Sequence, residues 1–262
     1  MTMKIAVLLS VPLISASVFA AATTQSSNTF GLLRVDSTQT QTIVCVPWVA
    51  ASAADDQNIK VTDIVKTANL TIGDELYWYD QTAAKYKAWC LVAGQSGAAP
   101  TWEAATSVTT TKVALDSAAA ETALARGDAF VLVRQNPTVN GKANPIYLLG
   151  QVAKSSEAVA NVLPAGAYSL LAPPSVADGT FDMNNATWVT PDAKDAIIIP
   201  EANVTLSWNP AEGAKKWGTY KMVLKNNQKQ QIWNYEVAKV PAGCGAWYVS
   251  KGNSDVTVTW TK

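Results

Sequence analysis

The chain has 262 residues with 20 basic and 20 acidic side chains, and charged residues make up only 15% of it. This balance provides no electrostatic field that would attract nucleic acid or an anionic membrane. The sequence contains no histidine, which excludes catalytic sites built on serine or cysteine with histidine and every histidine-based zinc site.

The first residues have the three parts of a secretory signal peptide. Lys4 precedes an apolar run, and small residues follow it up to Ala22. The apolar run is too short to span a bilayer comfortably. The sequence therefore predicts a signal peptide over residues 1–22 and a secreted, extracellular or cell-surface protein that begins at Ala21 or Thr23. It predicts no membrane span once the leader is removed.

Short strands are predicted along most of the mature chain. Residues 74–80 (DELYWYD) and 128–135 (DAFVLVRQ) are aromatic and β-branched runs bounded by turn residues. Residues 255–260 (DVTVTW) alternate in polarity, as a strand with one buried face does. Helical patterns occur only at residues 116–127 and around residues 61–68. The predicted fold class is all-β with one or two short helices.

Several of these segments occur twice in the same order. The stretch ARGDAFVLVRQNP aligns without a gap with PAGCGAWYVSKGN, which places Gly127 on Gly243. The pattern predicts an internal duplication that forms two tandem β-sandwich or barrel-like lobes. We expect lobe 1 over residues 23–152, a linker over 153–165 and lobe 2 over 166–262. The other matched segments are 29–37 with 167–175, 74–89 with 195–208, and 145–152 with 255–260.

The three cysteines leave two interpretations open. Cys45 and Cys90 lie on predicted strands of the first lobe and form a disulfide in an oxidising compartment if those strands are neighbours. Alternatively, all three cysteines are buried free thiols that pack as small apolar residues. Cys244 lies in a Gly-Cys-Gly turn.

Paired carboxylates are the remaining candidates for catalysis, as in many glycosidases. The close pairs are Asp55–Asp56, Asp74–Glu75 and Asp192 with Asp195. Neighbouring residues on a strand point to opposite faces, so Asp74 and Glu75 do not share a site. Asp74 also aligns with Asp195, which favours a structural role in the turn before each strand. The sequence predicts no enzyme, no catalytic residue, no cofactor and no metal site.

Tryptophan is unusually frequent, with ten residues in the chain. These rings either stack on sugars or fill the core of lobes that contain little phenylalanine and methionine. Trp89 aligns with Trp208, which favours a shared place in the core. The residues Trp78, Trp188 and Trp233 have no such counterpart and are the candidates for contact with a ligand or another subunit.

The chain also resembles known sequences. The stretches FGLLRVDS, VCVPWV, GDELYWYD and ARGDAFVLVRQNP, the last followed by NPIYLLGQ, are similar to a group of secreted bacterial proteins with a duplicated β-rich module. That group has no assigned function. The resemblance covers most of the mature chain and implies neither catalytic residues nor a ligand.

These features favour a secreted, non-enzymatic structural protein that assembles with copies of itself into a filament, a sheath or a surface layer. The expected contacts are an extended N-terminal arm over residues 23–30 and an exposed edge at the closing strand, residues 256–262. The alternative is a carbohydrate-binding protein that holds a glycan through exposed tryptophans.

Overall fold

The structure is a computed structural model, and strands dominate the part of the chain that it describes. Strands account for 56% of the described residues and helices for 8%. Within this part no helix exceeds four residues, and none is long and apolar enough to cross a bilayer. The predicted all-β class is confirmed. The described residues are 30–46, 59–80, 85–105, 123–151, 158–173, 180–211 and 213–260.

The first half of the fold extends from residue 30 to residue 151. It contains one turn of α-helix and two short 3₁₀ helices between its strands. In chain order the elements are β1 Phe30–Val35, β2 Gln41–Cys45, β3 Ile59–Lys60, α1 Val61–Ile64, β4 Val65–Lys66, a 3₁₀ helix Thr67–Asn69, β5 Glu75–Asp80, β6 Lys85–Val92, a 3₁₀ helix Gln95–Gly97, β7 Thr101–Ala104, β8 Ala123–Leu124, β9 Ala129–Val133, β10 Thr138–Val139, β11 Lys142–Ala143 and β12 Ile146–Gln151.

The second half extends from residue 159 to residue 260. It also contains two short 3₁₀ helices and ends on a strand. In chain order the elements are β13 Val159–Leu163, β14 Tyr168–Leu171, β15 Thr180–Asp182, a 3₁₀ helix Met183–Asn185, β16 Thr187–Val189, β17 Ala196–Ile199, a 3₁₀ helix Pro200–Ala202, β18 Val204–Asn209, β19 Lys216–Lys225, β20 Gln228–Asn234, β21 Lys239–Pro241, β22 Ala246–Val249 and β23 Val256–Trp260.

The larger sheets of the two halves have the same strand order. That order is β2-β9-β5-β6-β7 in the first half and β14-β22-β17-β18-β19 in the second, where β20 is added at the end. The three-stranded sheets β1-β12-β4 and β13-β23-β16 correspond in the same way, as do the pairs β3-β8 and β15-β21. Val133 of β9 and Val249 of β22 occupy matching positions between their neighbouring strands. Six residues before each valine, Gly127 and Gly243 have φ values of 94° and 75°.

The sequence alignment differs from the topology at the start of each half. The sequence alignment matches residues 29–37, which contain β1, with residues 167–175, which contain β14. By strand order, however, β1 corresponds to β13, and β14 corresponds to β2. The segment 153–165, predicted to be a linker, contains β13, which pairs with β23 along its whole length. Such a short segment carries little propensity of its own, and pairing with β23 stabilises it as a strand.

Other predicted elements also differ from the structure. The closing strand β23 lies between β13 and β16 and is therefore not an edge. A helix is present at Val61–Ile64, near the predicted one, but the chain continues as strand β4. The helix predicted over residues 116–127 lies largely outside the described residues, and its last part contains strand β8. The signal peptide, residues 23–29 and Asp55–Asp56 lie outside the described residues.

The two halves share one core and are joined by backbone hydrogen bonds. The main cluster of buried apolar side chains includes residues of both halves. Strand β2 pairs with the second half at its outer edge, where the Cys45 N–H donates to the Gly243 carbonyl at 2.9 Å. The Gly245 N–H donates to the Ile43 carbonyl at 2.8 Å. The turn before β22 is therefore part of the junction between the halves.

We expect Gly243→Ala to destabilise the protein by about 2 to 4 kcal/mol, because it adds left-handed strain and a steric clash. The new Cβ would lie 2.6 Å from Val35 Cγ2 and 2.7 Å from Leu33 Cδ2. Gly141→Ala is the matched control, since Gly141 has a φ of 73° and open space around it. It should cost only the strain, about 1 to 2 kcal/mol. Urea unfolding measures both, and equal losses would contradict the clash at the junction.

Candidate functional site

Strands β19 and β20 form a long hairpin, which we call the arm (residues 216–234). Its register places Lys225 opposite Gln228, so the connection has two residues. These residues, Asn226 and Asn227, have φ values of 51° and 59°. Two successive positive φ angles define the type I′ turn that matches the twist of a hairpin, and asparagine tolerates this conformation better than most residues.

Most of the exposed apolar side chains of the arm lie on one face, with Ile232 on the other. From Thr219 onward neither strand has a buried side chain. Tyr220, Met222 and Leu224 alternate along β19 and are 45%, 54% and 71% exposed. Trp233 lies opposite Tyr220, with 4.9 Å between the ring centroids. Residues opposite each other share a face of a sheet, so these four side chains form one apolar stripe on the arm.

The arm is also basic and lies at a sheet edge. It carries four lysines and no aspartate or glutamate. Strand β20 is the last strand of the six-stranded sheet, and in the described part of the chain β19 is its one partner. An edge strand presents unpaired backbone groups, and lysine is a residue that proteins use to limit uncontrolled pairing there. The arm therefore combines an apolar stripe, positive charge and an open strand edge.

A groove with a volume of about 670 Å³ lies between the two halves. We call it the interhalf groove. Its volume is within the range of about 300–1,000 Å³ that is typical of ligand pockets. Strand β14, the first strand of the six-stranded sheet, contributes to one wall. The lining residues are 78–80, 86 and 127–129 of the first half, and 160–164, 167–170 and 247 of the second.

Aromatic rings dominate the first-half wall of the groove. Trp78, Tyr79 and Tyr86 line it, and the rings of Tyr79 and Tyr86 are 4.9 Å apart. The Lys87 ammonium lies 5.3 Å from the Trp78 ring centroid and donates to the Asp80 carboxylate at 2.9 Å. Trp78 thus already binds one lysine by a cation–π contact. Such a wall can receive further cations or apolar surfaces.

The charged groups of the groove are acidic. Asp80 and Asp128 are the charged side chains among the described residues that line it, and these include no lysine or arginine. Burial raises the pKa of the Asp128 carboxyl. That carboxyl accepts a hydrogen bond from the Ala125 N–H at 2.9 Å. On the opposite wall Tyr168 is 62% exposed, so the groove opens to solvent beside β14.

The three tryptophans singled out from the sequence lie in different places. Trp78 is half-buried in the interhalf groove. Trp188 packs edge-on against Trp217 at 5.1 Å, and its indole N–H donates to the Met183 carbonyl at 2.9 Å. Trp188 therefore belongs to the packing of the second half. Trp233 lies on the arm, so the structure does not bring the three together.

The structure does not pair the cysteines. All three are free thiols. Cys45 on β2 and Cys90 on β6 are separated by β9 and β5, a distance of about 14 Å across three strand spacings. A disulfide requires Cα atoms within about 7 Å. Burial raises the pKa of Cys45, whose thiol donates to the Cys244 carbonyl at 3.0 Å.

The aligned carboxylates Asp74 and Asp195 hold loops together. Asp74 accepts hydrogen bonds from the backbone N–H groups of Thr71 at 2.9 Å and Gln135 at 2.7 Å. Asp195 accepts three backbone hydrogen bonds in the corresponding loops and one from the Tyr248 hydroxyl. The carboxylate oxygens of both residues therefore accept hydrogen bonds that hold the fold together. In the described part of the chain, no cluster of histidine, cysteine, aspartate or glutamate could hold a metal ion.

Sequence reasoning missed most of the groove and the arm. Tyr79 and Tyr86 lie in the aromatic- and lysine-rich stretch YWYDQTAAKYKAW, which is a local signal for an exposed aromatic hairpin. Tyr168 and Trp247 have no local signal, because they reach the groove only through tertiary folding. The arm has a local signal, since the pair Asn226-Asn227 lies between two strand-like runs that end in apolar and aromatic residues.

Comparison of the chain with models of known protein families, with characterised proteins and with solved structures gave no significant match. This result is consistent with the resemblance noted from the sequence, which is to proteins without an assigned function. The arm and the interhalf groove are therefore the features from which a function can be inferred.

Proposed function

We propose that this protein is a secreted, non-enzymatic structural protein whose copies assemble at the cell surface into a filament, a sheath or a surface layer. The observation that carries the proposal is the apolar stripe of the arm. A two-stranded ribbon is marginally stable in water by itself, and it gains free energy when a partner covers its apolar side chains. The partner we propose is a second copy of the chain.

The charge distribution supports contact between copies. Of the 19 basic residues in the chain after its predicted leader, four lie on the arm, which leaves 15 against 20 acidic residues elsewhere. The arm of one copy is therefore attracted to the body of another. The low overall content of charged residues also limits repulsion between closely packed copies.

We further propose that the two halves arose by duplication of one β-lobe. The shared strand order and the matching turns at Gly127 and Gly243 support this history. Two similar lobes in one chain offer related but different surfaces at its two ends. A head-to-tail contact between such surfaces produces an open polymer when its rotation does not close a ring.

The double variant Met222→Ser/Leu224→Ser tests the role of the arm. We expect self-association to weaken on the order of a hundredfold, since two exposed apolar side chains no longer become buried. Val223→Ser/Ile232→Ser, which removes two apolar side chains from the other face of the arm and keeps all four lysines, is the matched control and should retain most of the association. Sedimentation velocity and negative-stain electron microscopy measure the assemblies. Normal polymers from the first variant, or a wild type that stays monomeric at every concentration, would reject the proposal.

Carbohydrate binding is a second candidate, favoured by the aromatic wall of the interhalf groove. Trp78, Tyr79 and Tyr86 line the groove together with Asp80, and aromatic rings beside a carboxylate suit the apolar face and the hydroxyls of a sugar. A screen of purified protein against immobilised glycans tests it. Binding that Trp78→Ala removes and Trp233→Ala retains would support this function, and an absence of binding would reject it.

A further inference from the structure

The arm and the interhalf groove lie at opposite ends of one sheet. Strand β14 at the groove is the first strand of the six-stranded sheet, and β20 of the arm is the sixth. Five strand spacings separate them, about 24 Å. The arm of a copy therefore lies far from that copy's own groove. A contact between the two features has to join different copies.

The two features are chemically complementary. The arm offers four lysines, no acidic residue and an apolar stripe. The groove offers five aromatic side chains and two carboxylates, without a lysine or arginine among its described lining residues. Lysine binds well to aromatic faces and carboxylates. The contact that Lys87 makes with Trp78 and Asp80 is an example within the groove wall itself.

The groove also lies at the second junction between the halves, where the described residues form no isolated backbone bridge. On one side, β2 pairs with the turn before β22 through the bridge between Val44 and Cys244. The corresponding residues on the other side are Leu171 of β14 and Asp128 before β9. Among the described residues no such bridge joins Leu171 and Asp128, and Asp128 lines the groove. Among the described residues β14 therefore pairs with β22 alone, without the backbone bridge that β2 makes at its outer edge.

We propose that the arm of one copy docks into the interhalf groove of the next copy, where the edge strand β20 lies alongside the edge strand β14. The proposal rests on the self-assembly proposed above and specifies its contact. The apolar stripe of the arm covers the aromatic wall, and the lysines lie near Asp80 and Asp128. Strand addition of this kind satisfies the open edges of both sheets. Each copy then has one free arm and one free groove, so the contact repeats head to tail.

A mixing experiment between two defective variants tests the docking. Met222→Ser/Leu224→Ser has a defective arm and an intact groove. Tyr168→Arg has an intact arm and a groove blocked by bulk and positive charge, and it should fold normally because Tyr168 is 62% exposed. We expect each variant alone to form no polymer. An equimolar mixture should form dimers that do not grow, because only one productive contact exists per pair.

Val139→Arg is the matched control, since Val139 is 53% exposed and lies outside the groove. It should polymerise like the wild type. If Tyr168→Arg also polymerises like the wild type while the arm variant does not, the arm docks elsewhere and only the self-assembly proposal survives. A mixture that remains monomeric overturns the docking as well. Loss of glycan binding in Tyr168→Arg with unchanged polymers would assign the groove to a sugar instead.

Discussion

Replacement of Trp89 by alanine should lower the free energy of unfolding by about 3 to 5 kcal/mol, the range for removing a large aromatic side chain from a core. Trp89 is fully buried on β6, where it lies between Leu76 of β5 and Ala104 of β7. The cavity left by the indole ring is surrounded by two sheet neighbours whose backbones are fixed by hydrogen bonds. The cavity therefore cannot easily shrink, and we expect a loss of unfolding free energy in the upper part of that range.

Two further variants complete this test, one that separates the Trp89 ring from its polar atom and one that serves as an exposed control. The Trp89 indole N–H is buried without a hydrogen-bond partner among the described residues, a situation that costs about 1 to 3 kcal/mol. Trp89→Phe keeps most of the apolar ring and removes the unpaired N–H, so it should lose far less stability than Trp89→Ala. Trp233→Ala on the exposed arm should change the free energy of unfolding by less than about 1 kcal/mol. Urea unfolding with linear extrapolation measures all three, and similar losses for Trp89→Ala and Trp233→Ala would contradict this description of the core.

Replacement of Asp195 by alanine should cost about 3 to 5 kcal/mol, because it leaves several buried donors without an acceptor. Asp195 is 1% exposed. Its carboxylate accepts hydrogen bonds from the backbone N–H groups of Asp192, Lys251 and Gly252 and from the Tyr248 hydroxyl. Burial and the hydrogen bond to Asp195 raise the pKa of Tyr248. The hydroxyl therefore stays protonated and remains a donor at all ordinary pH values.

Asp255→Ala is the matched control for this position. Asp255 is exposed and accepts one backbone hydrogen bond, from Ala165 at 2.9 Å, so its loss should cost about 1 kcal/mol. The loss of unfolding free energy for Asp195→Asn should lie between those for Asp195→Ala and Asp255→Ala, because the amide oxygen still accepts some of the hydrogen bonds. The measurement is urea unfolding at neutral pH. A loss for Asp195→Ala no larger than that for Asp255→Ala would show that the loops around β17 do not depend on the carboxylate.

The local features of the fold could be predicted from the sequence. Short aromatic and β-branched runs between turn residues indicated strands, and the structure has β5 and β9 where the two strongest runs lie. Gly127 and Gly243 were aligned by pattern alone and both have positive φ. The structural role expected for Asp74 and Asp195 matches their hydrogen bonds to neighbouring loops. Each of these features depends on a few consecutive residues, so its pattern can be recognised in the local sequence.

Features that depend on pairing between distant segments could not be predicted. Strand β13 lies in the segment that was predicted to be a linker between the halves, yet β23 pairs with it. Trp208 was aligned with Trp89, but in the sheet it lies opposite Trp217, and Trp102 lies opposite Leu91. By register Trp208 therefore corresponds to Leu91. The shift of two residues keeps the side chain on the same face, so both tryptophans are still buried.

Only part of the candidate site could be predicted from the sequence. Trp78 was selected because it lacked an aligned partner, and it does line the groove. The opposite wall comes from residues near Tyr168 and Trp247, roughly 90 to 170 positions away, and nothing in the local sequence links them. Trp188 was selected by the same criterion as Trp78, but ring packing inside the second half covers it. The absence of an aligned partner does not distinguish an exposed ring from a buried one.

The most direct test of self-assembly through the arm is hydrogen–deuterium exchange of the wild-type protein at low and at high concentration. In a dilute solution the amides of residues 219–234 should exchange quickly, since the arm projects from the core. At concentrations where sedimentation detects polymers, the same amides should exchange much more slowly, while most of the core remains unchanged. Polymers whose arm exchanges as quickly as that of the monomer would contradict the account.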